Sequence, residues 1–189
     1  MRIRFGKPAI TTAGLFMLLA VNFCLAGDIR ANQTTYGIKL GLISPGVWTV
    51  GDFEYDSDTE YSIGGFLDYK LGPKITGGLA LNINGFGAYE TSSTLFDLGV
   101  TLKAMVFSDK SKFTFMPGIG ISYGHLGKMY IYESSNYMIL SGFVDAVIAT
   151  PRNFSWFGEL GLFGSPNGGN DDADMYLDPG LMVKAGIVF

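Results

Sequence analysis

The chain has 189 residues, of which 48% are hydrophobic, 14% aromatic and only 16% charged, and 27 are glycine. A water-soluble domain carries about a quarter charged residues, so this composition favours a β protein whose outer surface does not face water. The formal net charge of −4 disfavours nucleic acid as a partner.

The first 26 residues have the pattern of a secretory signal peptide. Three basic residues precede the apolar segment 13–26, which is too short to span a bilayer. Cleavage is predicted after Ala26, with Ala31 as the alternative, and leaves 27–189 as the mature domain. The only cysteine, Cys24, leaves with this segment, so the mature chain is expected to have no disulfide and no thiolate ligand. Its 10 basic and 17 acidic side chains give a formal charge of −7.

No later stretch is apolar over the roughly 18 residues that a spanning helix needs, so this exported, apolar chain is expected to form a closed barrel. Eight segments with strand-like alternation follow, and short connectors alternate with long ones, which is typical of outer-membrane barrels. The sequence therefore predicts an all-β fold, an eight-stranded antiparallel up-and-down transmembrane β-barrel. Pro117, inside the fifth segment and without a ladder donor, predicts a bulge or a strand boundary. The strands are predicted at 35–43, 61–71, 75–85, 95–107, 113–123, 137–149, 154–163 and 179–189, and the long connectors at 44–60, 86–94, 124–136 and 164–178.

The two faces of these strands differ in charge. One register holds no Asp, Glu, Lys or Arg, whereas the other holds eight charged residues interleaved with nine glycines. Glycines weaken a solvent-facing strand but suit the narrow bore of an eight-stranded barrel, and a Lys or Arg facing lipid at mid-depth costs about 2–4 kcal/mol. The charged register is therefore predicted to face inward. Its four positive and four negative side chains predict paired charges that brace the barrel, with a conductive path as the alternative. The predicted interior charge network is Lys39, Asp68, Lys70, Asp97, Lys103, Asp145, Glu159 and Lys184.

The chain ends in an alternating strand, LMVKAGIVF at 181–189, whose last residue is aromatic. This strand is predicted to pair with the first one and to place its final ring at the periplasmic rim. Its alternate residues resemble the assembly signal of Gram-negative outer-membrane barrels, and the mature chain resembles the small eight-stranded members, the OmpX, OmpA-membrane-domain and opacity-porin type. The resemblance implies recognition by the barrel-assembly machinery, placement in the outer membrane and contact with its lipid and lipopolysaccharide; we expect a monomer. The residues of this signal are Leu181, Val183, Ala185, Ile187 and Phe189.

His125 is the only histidine and has Ser122 and Glu133 nearby in sequence. A Ser/His/carboxylate hydrolase is one interpretation, because some eight-stranded barrels act on lipid A. The residues after it, Leu126 and Gly127, do not match the His-x-Ser pattern of the deacylase type. We therefore interpret His125 as a loop histidine and predict no catalytic residue.

Two predicted loops are acidic, at 51–60 and 171–178. Carboxylates are suitable ligands for Ca²⁺ or Mg²⁺, but neither stretch has the glycine and glutamate spacing of a helix-loop-helix calcium site. Solvated loops without a metal or cofactor are expected, with divalent-mediated contact to lipopolysaccharide phosphate as the alternative. Aromatic residues of the loops fit an interfacial belt or, alternatively, a surface for a ligand or partner. They are Trp48, Phe53, Tyr55, Phe86, Tyr89, Tyr130, Tyr132, Tyr137 and Tyr176.

The sequence alone thus predicts a non-enzymatic outer-membrane barrel with a structural or surface-interaction role, exerted through long outer loops over a bore plugged by paired charges. Two alternatives belong to other functional classes. One is a narrow channel for small or hydrophobic solutes, and the other is a lipid-modifying enzyme.

Overall fold

The computed structural model describes residues 34–88, 90–106, 112–129, 132–151, 153–170 and 173–189. The predicted signal peptide lies outside the described residues. No helix in the described part of the chain is long and apolar enough to cross a membrane. The strands are β1 (Thr34–Ser44), β2 (Trp48–Val50), β3 (Phe53–Tyr55), β4 (Glu60–Lys70), β5 (Ile75–Ala88), β6 (Thr91–Ala104), β7 (Phe113–Leu126), β8 (Ser135–Ala149), β9 (Ser155–Gly169) and β10 (Asp174–Val188).

Eight long strands form a closed antiparallel barrel. Each pairs with its sequence neighbour among the long strands, and β10 pairs with β1 to complete the circle. At the end of this seam the Phe189 amide donates to the Tyr36 carbonyl (2.8 Å), and the two rings stack with centroids 5.5 Å apart. The predicted all-β, eight-stranded, antiparallel up-and-down fold is confirmed.

The two ends of the barrel differ in their connections. At the end that we call the turn end, the strands are joined through 71–74, 105–112 and 150–154. The strand β1 begins at this end, and β10 ends there. At the other end, which we call the hairpin end, two of the predicted long loops are instead strand. Residues 86–88 and 91–94 continue the β5–β6 ladder, and 164–169 and 174–178 belong to β9 and β10.

These strand extensions were missed because pairing is made by the backbone. The run Thr91–Thr94 is polar throughout, so it shows no alternation, yet it pairs with 85–88. Outside a lipid layer neither face of a hairpin has to be apolar, and period-two hydrophobicity disappears although the hydrogen bonds continue.

The first connector also contains ordered structure. Within the predicted loop 44–60, β2 and β3 form a short hairpin, and β2 pairs with β10 beyond the point where β1 ends. On the other side the Asp58 amide donates to the Gly87 carbonyl in β5 (2.8 Å). The hairpin therefore closes the gap in the wall that the shorter strands β1 and β4 leave at the hairpin end.

Pro117 lies within a regular part of β7. The β7–β8 ladder runs through the pair Pro117–Val144 without a register shift, whereas pairing of β7 with β6 begins only at Gly118. The expected bulge or boundary is therefore absent from the β8 side. Proline is tolerated because β6 does not pair with this part of β7, so no ladder bond there needs its missing amide proton.

The two registers face opposite sides of the wall. Leu40 and Ile119 on the outside are 66% and 64% exposed, whereas Lys39 and Asp145 inside are 7% and 0% exposed. Aromatic side chains lie around the outside of the turn end, among them Trp156, which is 57% exposed. The charge-free register is thus the outer surface, and the charged register lines the bore.

Gly186 and Gly158 provide a matched pair of substitutions that tests the seam. A Cβ on Gly186 in β10 would collide with the carbonyl oxygen of Ile38 in β1, whereas a Cβ on Gly158 in β9 meets nothing within 4 Å. We expect Gly186→Val to lower the free energy of unfolding by about 1–3 kcal/mol, the usual cost of overpacking. Gly158→Val should leave it unchanged or raise it slightly, because valine suits a strand better than glycine. Urea titration in detergent, followed by heat-modifiable gel migration, measures both; equal midpoints would contradict this account of the seam.

Candidate functional site

Seven of the eight predicted interior charges are buried in the bore: Lys39, Asp68, Asp97, Lys103, Asp145, Glu159 and Lys184. The eighth, Lys70, is exposed. It has inward parity, but it is the last residue of β4 and lies where the wall opens to solvent at the turn end. The buried set therefore has three cations and four carboxylates, and Lys70 does not belong to it.

Lys103 holds two carboxylates across the bore. Its Nζ lies 2.8 Å from Oδ2 of Asp68 and 2.8 Å from Oδ2 of Asp145. The same ammonium lies 4.9 Å from the ring centroid of Phe66. These contacts join β4, β6 and β8, which are not neighbours in the wall, as the predicted bracing by internal ion pairs requires.

Glu159 is the centre of a second ion-pair group. Its Oε2 lies 2.7 Å from Nζ of Lys39, and its Oε1 lies 3.5 Å from Nζ of Lys184. Lys184 also donates to Oδ1 of Asn82 (3.4 Å). The group links β1, β9 and β10 at the seam to β5 on the other side of β4.

Asp97 is held by amides rather than by a directly paired cation. Nδ2 of Asn82 donates to Oδ1 of Asp97, and Nδ2 of Asn84 donates to Oδ2, each at 2.8 Å. Ser62 in turn donates to Oδ1 of Asn84 (2.6 Å). Sequence analysis restricted to charges missed these amides. Asn82 and Asn84 alternate with Leu81 and Ile83 along β5, which places both amides in the inward register. This alternation is visible in the sequence and could have predicted their position.

The hairpin end of the bore is filled by apolar side chains. Trp48 of β2 is 2% exposed, and its Nε1 donates to the hydroxyl of Tyr137 (2.9 Å), which contacts Sδ of Met175 (3.2 Å). The Trp48 ring meets the Phe86 ring edge-on, with centroids 5.8 Å apart. Trp48, Phe86 and Tyr137 were predicted as loop aromatics at an interface, and the structure places them inside the barrel. We call this group the aromatic plug; its buried members include Ile43, Trp48, Val50, Phe86, Leu95, Leu126, Met129, Tyr137, Ile139, Met175 and Leu177.

A second contact fixes the hairpin over the plug. The hydroxyls of Tyr55 in β3 and Tyr132 in the β7–β8 connection lie 2.8 Å apart. This hydrogen bond is the largest of the causes that raise the pKa of Tyr55 above its ordinary value. Of the remaining loop aromatics, Tyr89 and Tyr130 lie outside the described residues.

A small cavity remains between the charged groups and the plug. Its volume is about 60 Å³, and its lining includes Lys39, Asp97, Glu159, Lys184 and Phe143. Such a space holds a few water molecules, whereas pockets for small organic ligands occupy about 300–1,000 Å³.

The residues considered for a hydrolase do not come together. Ser122 lines the cavity, whereas His125 is exposed on the outer surface, where its Nδ1 lies 2.9 Å from Oδ1 of Asn136. Glu133 pairs with Lys128 at 2.6 Å, and both of these side chains are 62% exposed. The barrel wall separates the serine from the histidine, so the three residues do not form a triad.

The acidic residues of the first connector are spread over the hairpin end. Asp52, Glu54, Asp56 and Asp58 are exposed, and Asp171 and Asp172 lie outside the described residues. Within the described ranges, no three His, Cys, Asp or Glu side chains are grouped so that they could hold a metal ion.

Removing the Lys103 ammonium tests the internal bracing. Lys103→Met leaves Asp68 and Asp145 buried without their cation, and we expect the free energy of unfolding to fall by about 3–5 kcal/mol. Adding Asp68→Asn and Asp145→Asn should recover much of this loss, because the uncompensated charge is gone. As a control, Lys128→Met breaks an exposed pair and should cost less than about 1 kcal/mol. Urea midpoints in one detergent measure all three; comparable losses for the two lysines would show that the buried pairs do not brace the barrel.

No protein family and no curated protein matches the chain. Among solved structures, the fold is similar to that of Neisserial surface protein A, with a TM-score of 0.55 at 11% identity, covering 82% of this chain and 94% of that one. Ail, the attachment invasion locus protein of Yersinia pestis, gives a TM-score of 0.40 at 15% identity, covering 83% of this chain and 99% of that one. At the level of the fold, the predicted resemblance to small eight-stranded outer-membrane barrels is confirmed.

Proposed function

We propose that this protein is an outer-membrane β-barrel whose bore is closed to solutes and which acts through contacts made at its hairpin end. The observation that carries the proposal is the combination of a charge-free outer surface with a bore filled by ion pairs and the aromatic plug. A barrel of this kind has its working surface at a rim and not in its interior.

Placement in a membrane is supported by the exposed side chains of the wall. Leucine, isoleucine and valine cover the outside of all eight long strands, for example Leu40, Ile63 and Leu160 at 57–66% exposure. A water-soluble barrel would not expose a continuous apolar belt, since monomers rarely show apolar patches above a few hundred Å². Tyr36 and Phe189, stacked at the turn end, lie where an interfacial aromatic girdle is expected.

Closure of the bore is supported at two levels along its axis. The ammonium groups of Lys39, Lys103 and Lys184 occupy its middle, and each is held by a carboxylate on another strand. Toward the hairpin end the side chains that fill the bore are mostly apolar, those of Trp48 and its neighbours. A hydrated ion would have to lose its water to pass this layer, and the dehydration cost is the barrier to conduction.

The hairpin end provides an ordered surface. The β5–β6 and β9–β10 hairpins extend in register, and the β2–β3 hairpin is tied to β10 by three residue pairs. Phe53 at the hairpin tip is 67% exposed between Asp52 and Glu54. A paired-strand platform loses less conformational entropy on binding a partner than flexible loops do, which supports a role in surface contacts.

Electrical recording distinguishes a closed barrel from a narrow channel. In a planar bilayer we expect the purified chain and its Asp97→Ala variant to give no steady ion steps, because the aromatic plug stays in place. The triple variant Trp48→Ala, Phe86→Ala and Phe66→Ala removes rings along the bore and should give openings, which shows that the assay detects them. Steady steps from the unaltered chain that change in size with Asp97→Ala or Glu159→Ala would favour the alternative function, a channel for small solutes.

Labelling of single cysteines tests which end faces outward. Phe53→Cys lies at the hairpin end and Lys74→Cys at the turn end; both positions are exposed. In intact cells a membrane-impermeant maleimide should label Phe53→Cys, and it should label Lys74→Cys only after the outer membrane is permeabilised. Equal labelling of the two variants in intact cells would contradict the proposed placement.

A further inference from the structure

The two ends of the barrel carry opposite charge. At the turn end the exposed charged side chains of the described residues are three lysines: Lys70, Lys74 and Lys112. At the hairpin end the described residues include a single lysine, Lys128, and nine carboxylates. These carboxylates are Asp52, Glu54, Asp56, Asp58, Glu60, Glu90, Glu133, Asp174 and Asp178.

The lysines of the turn end have fixed backbones and free side chains. The Lys74 carbonyl accepts the Met105 amide (2.8 Å), and the Lys112 carbonyl accepts the Ala149 amide (2.8 Å), so each turn is tied to the strand end beside it. Among the described residues, none of the three ammonium groups is in an ion pair, in contrast to Lys128, which pairs with Glu133. Within the described part of the chain, these three lysines provide a ring of positive charge without ion-pair partners at this rim.

The outer surface next to these lysines indicates their depth. Leu71, between Lys70 and Lys74, is 60% exposed, and Trp156, at the same end of the barrel, is 57% exposed. Exposed apolar and indole groups of a barrel lie at the boundary between acyl chains and headgroups. Lysines just beyond that boundary extend their ammonium groups to the level of the lipid phosphates.

We propose that the turn end is a binding surface for anionic phospholipid headgroups of the leaflet that it faces. This inference rests on the membrane placement proposed above. A lysine ammonium is a point charge with three donors, so it binds a phosphate without requiring a planar partner. A lipid of net negative charge is favoured over a zwitterionic one, because the choline of the latter repels the same ammonium group. The carboxylates at the hairpin end give the opposite preference there.

Lipid selectivity of the reconstituted full-length mature chain tests this surface. The chain is inserted in phosphatidylcholine vesicles, and the association of spin-labelled phosphatidylglycerol is compared with that of spin-labelled phosphatidylcholine. We expect phosphatidylglycerol to be preferred about twofold, averaged over the lipids around the barrel, at low salt. The preference should fall toward one in about 1 M NaCl, where the Debye length is only about 3 Å.

Two variants separate the lysine ring from charge in general. The triple substitution Lys70→Gln, Lys74→Gln and Lys112→Gln should abolish the preference, whereas Lys128→Gln at the hairpin end should leave it unchanged or raise it. A ratio near one for the unaltered chain, or one that the triple substitution does not alter, would overturn the inference. Displacement of the labelled lipid by glycerol phosphate at equal phosphate concentration would also overturn it, since the site would then bind a free anion.

The same samples report on membrane insertion. Protease protection of the barrel strands and heat-modifiable migration show whether the chain has entered the bilayer. An inserted barrel without lipid preference refutes the inference alone, whereas a chain that fails to insert refutes the membrane placement on which the proposed function depends.

Discussion

An outer surface that cannot carry charge is the constraint on which the other features depend. Each long strand has only two faces, and in the membrane placement proposed above a lysine on the outer face would cost about 2–4 kcal/mol at mid-depth. The seven buried charges of the long strands face the bore, in agreement with this placement. The carboxylate of Asp145, which is 0% exposed, is tolerated there because Lys103 lies 2.8 Å away.

The interior of the barrel changes along its axis from charged side chains in the middle to apolar side chains at the hairpin end. Ion pairs between strands that are not neighbours hold the wall together through the middle, where Lys39 meets Glu159 across β10. Toward the hairpin end β1 and β4 are shorter than the other long strands, and the β2–β3 hairpin fills the gap and directs Trp48 inward. The strand β2 thus contributes both to the wall, through its pairing with β10, and to the plug, through Trp48.

The fold was predictable from sequence wherever the odd or even position of a residue in its strand determines which face of the sheet it lies on. The alternation of Asp97 with apolar neighbours assigns it to the charged face of its strand, and the alternation of 179–189 predicts a strand that pairs with the first one. The partners of the charges were not predictable. Lys39 and Glu159 are 120 residues apart, and their contact depends on the stagger of strands around the barrel.

The aromatic plug was missed for a related reason. Trp48 and Tyr55 lie in a polar, acidic segment that locally resembles a solvated loop. Their environment in the structure comes from parts of the chain that are distant in sequence, among them β5, β8 and β10. Lys70 shows the opposite error, because its parity is inward but the bore has already ended at its position. Alternation reports which way a side chain points, and it does not report where the barrel begins or stops.

The seam between β1 and β10 has a consequence for the order in which the protein forms. Gly37 pairs with Val188, so the contact that completes the circle joins the two strands of the described chain that are most distant in sequence. Until it forms, the growing sheet has two open edges with unpaired amides and carbonyls, and neither edge is stable in a hydrocarbon layer. Loop-closure entropy makes such a long-range pairing slow. An incomplete sheet with two open edges is therefore more prone than the closed barrel to pair with another copy of the chain.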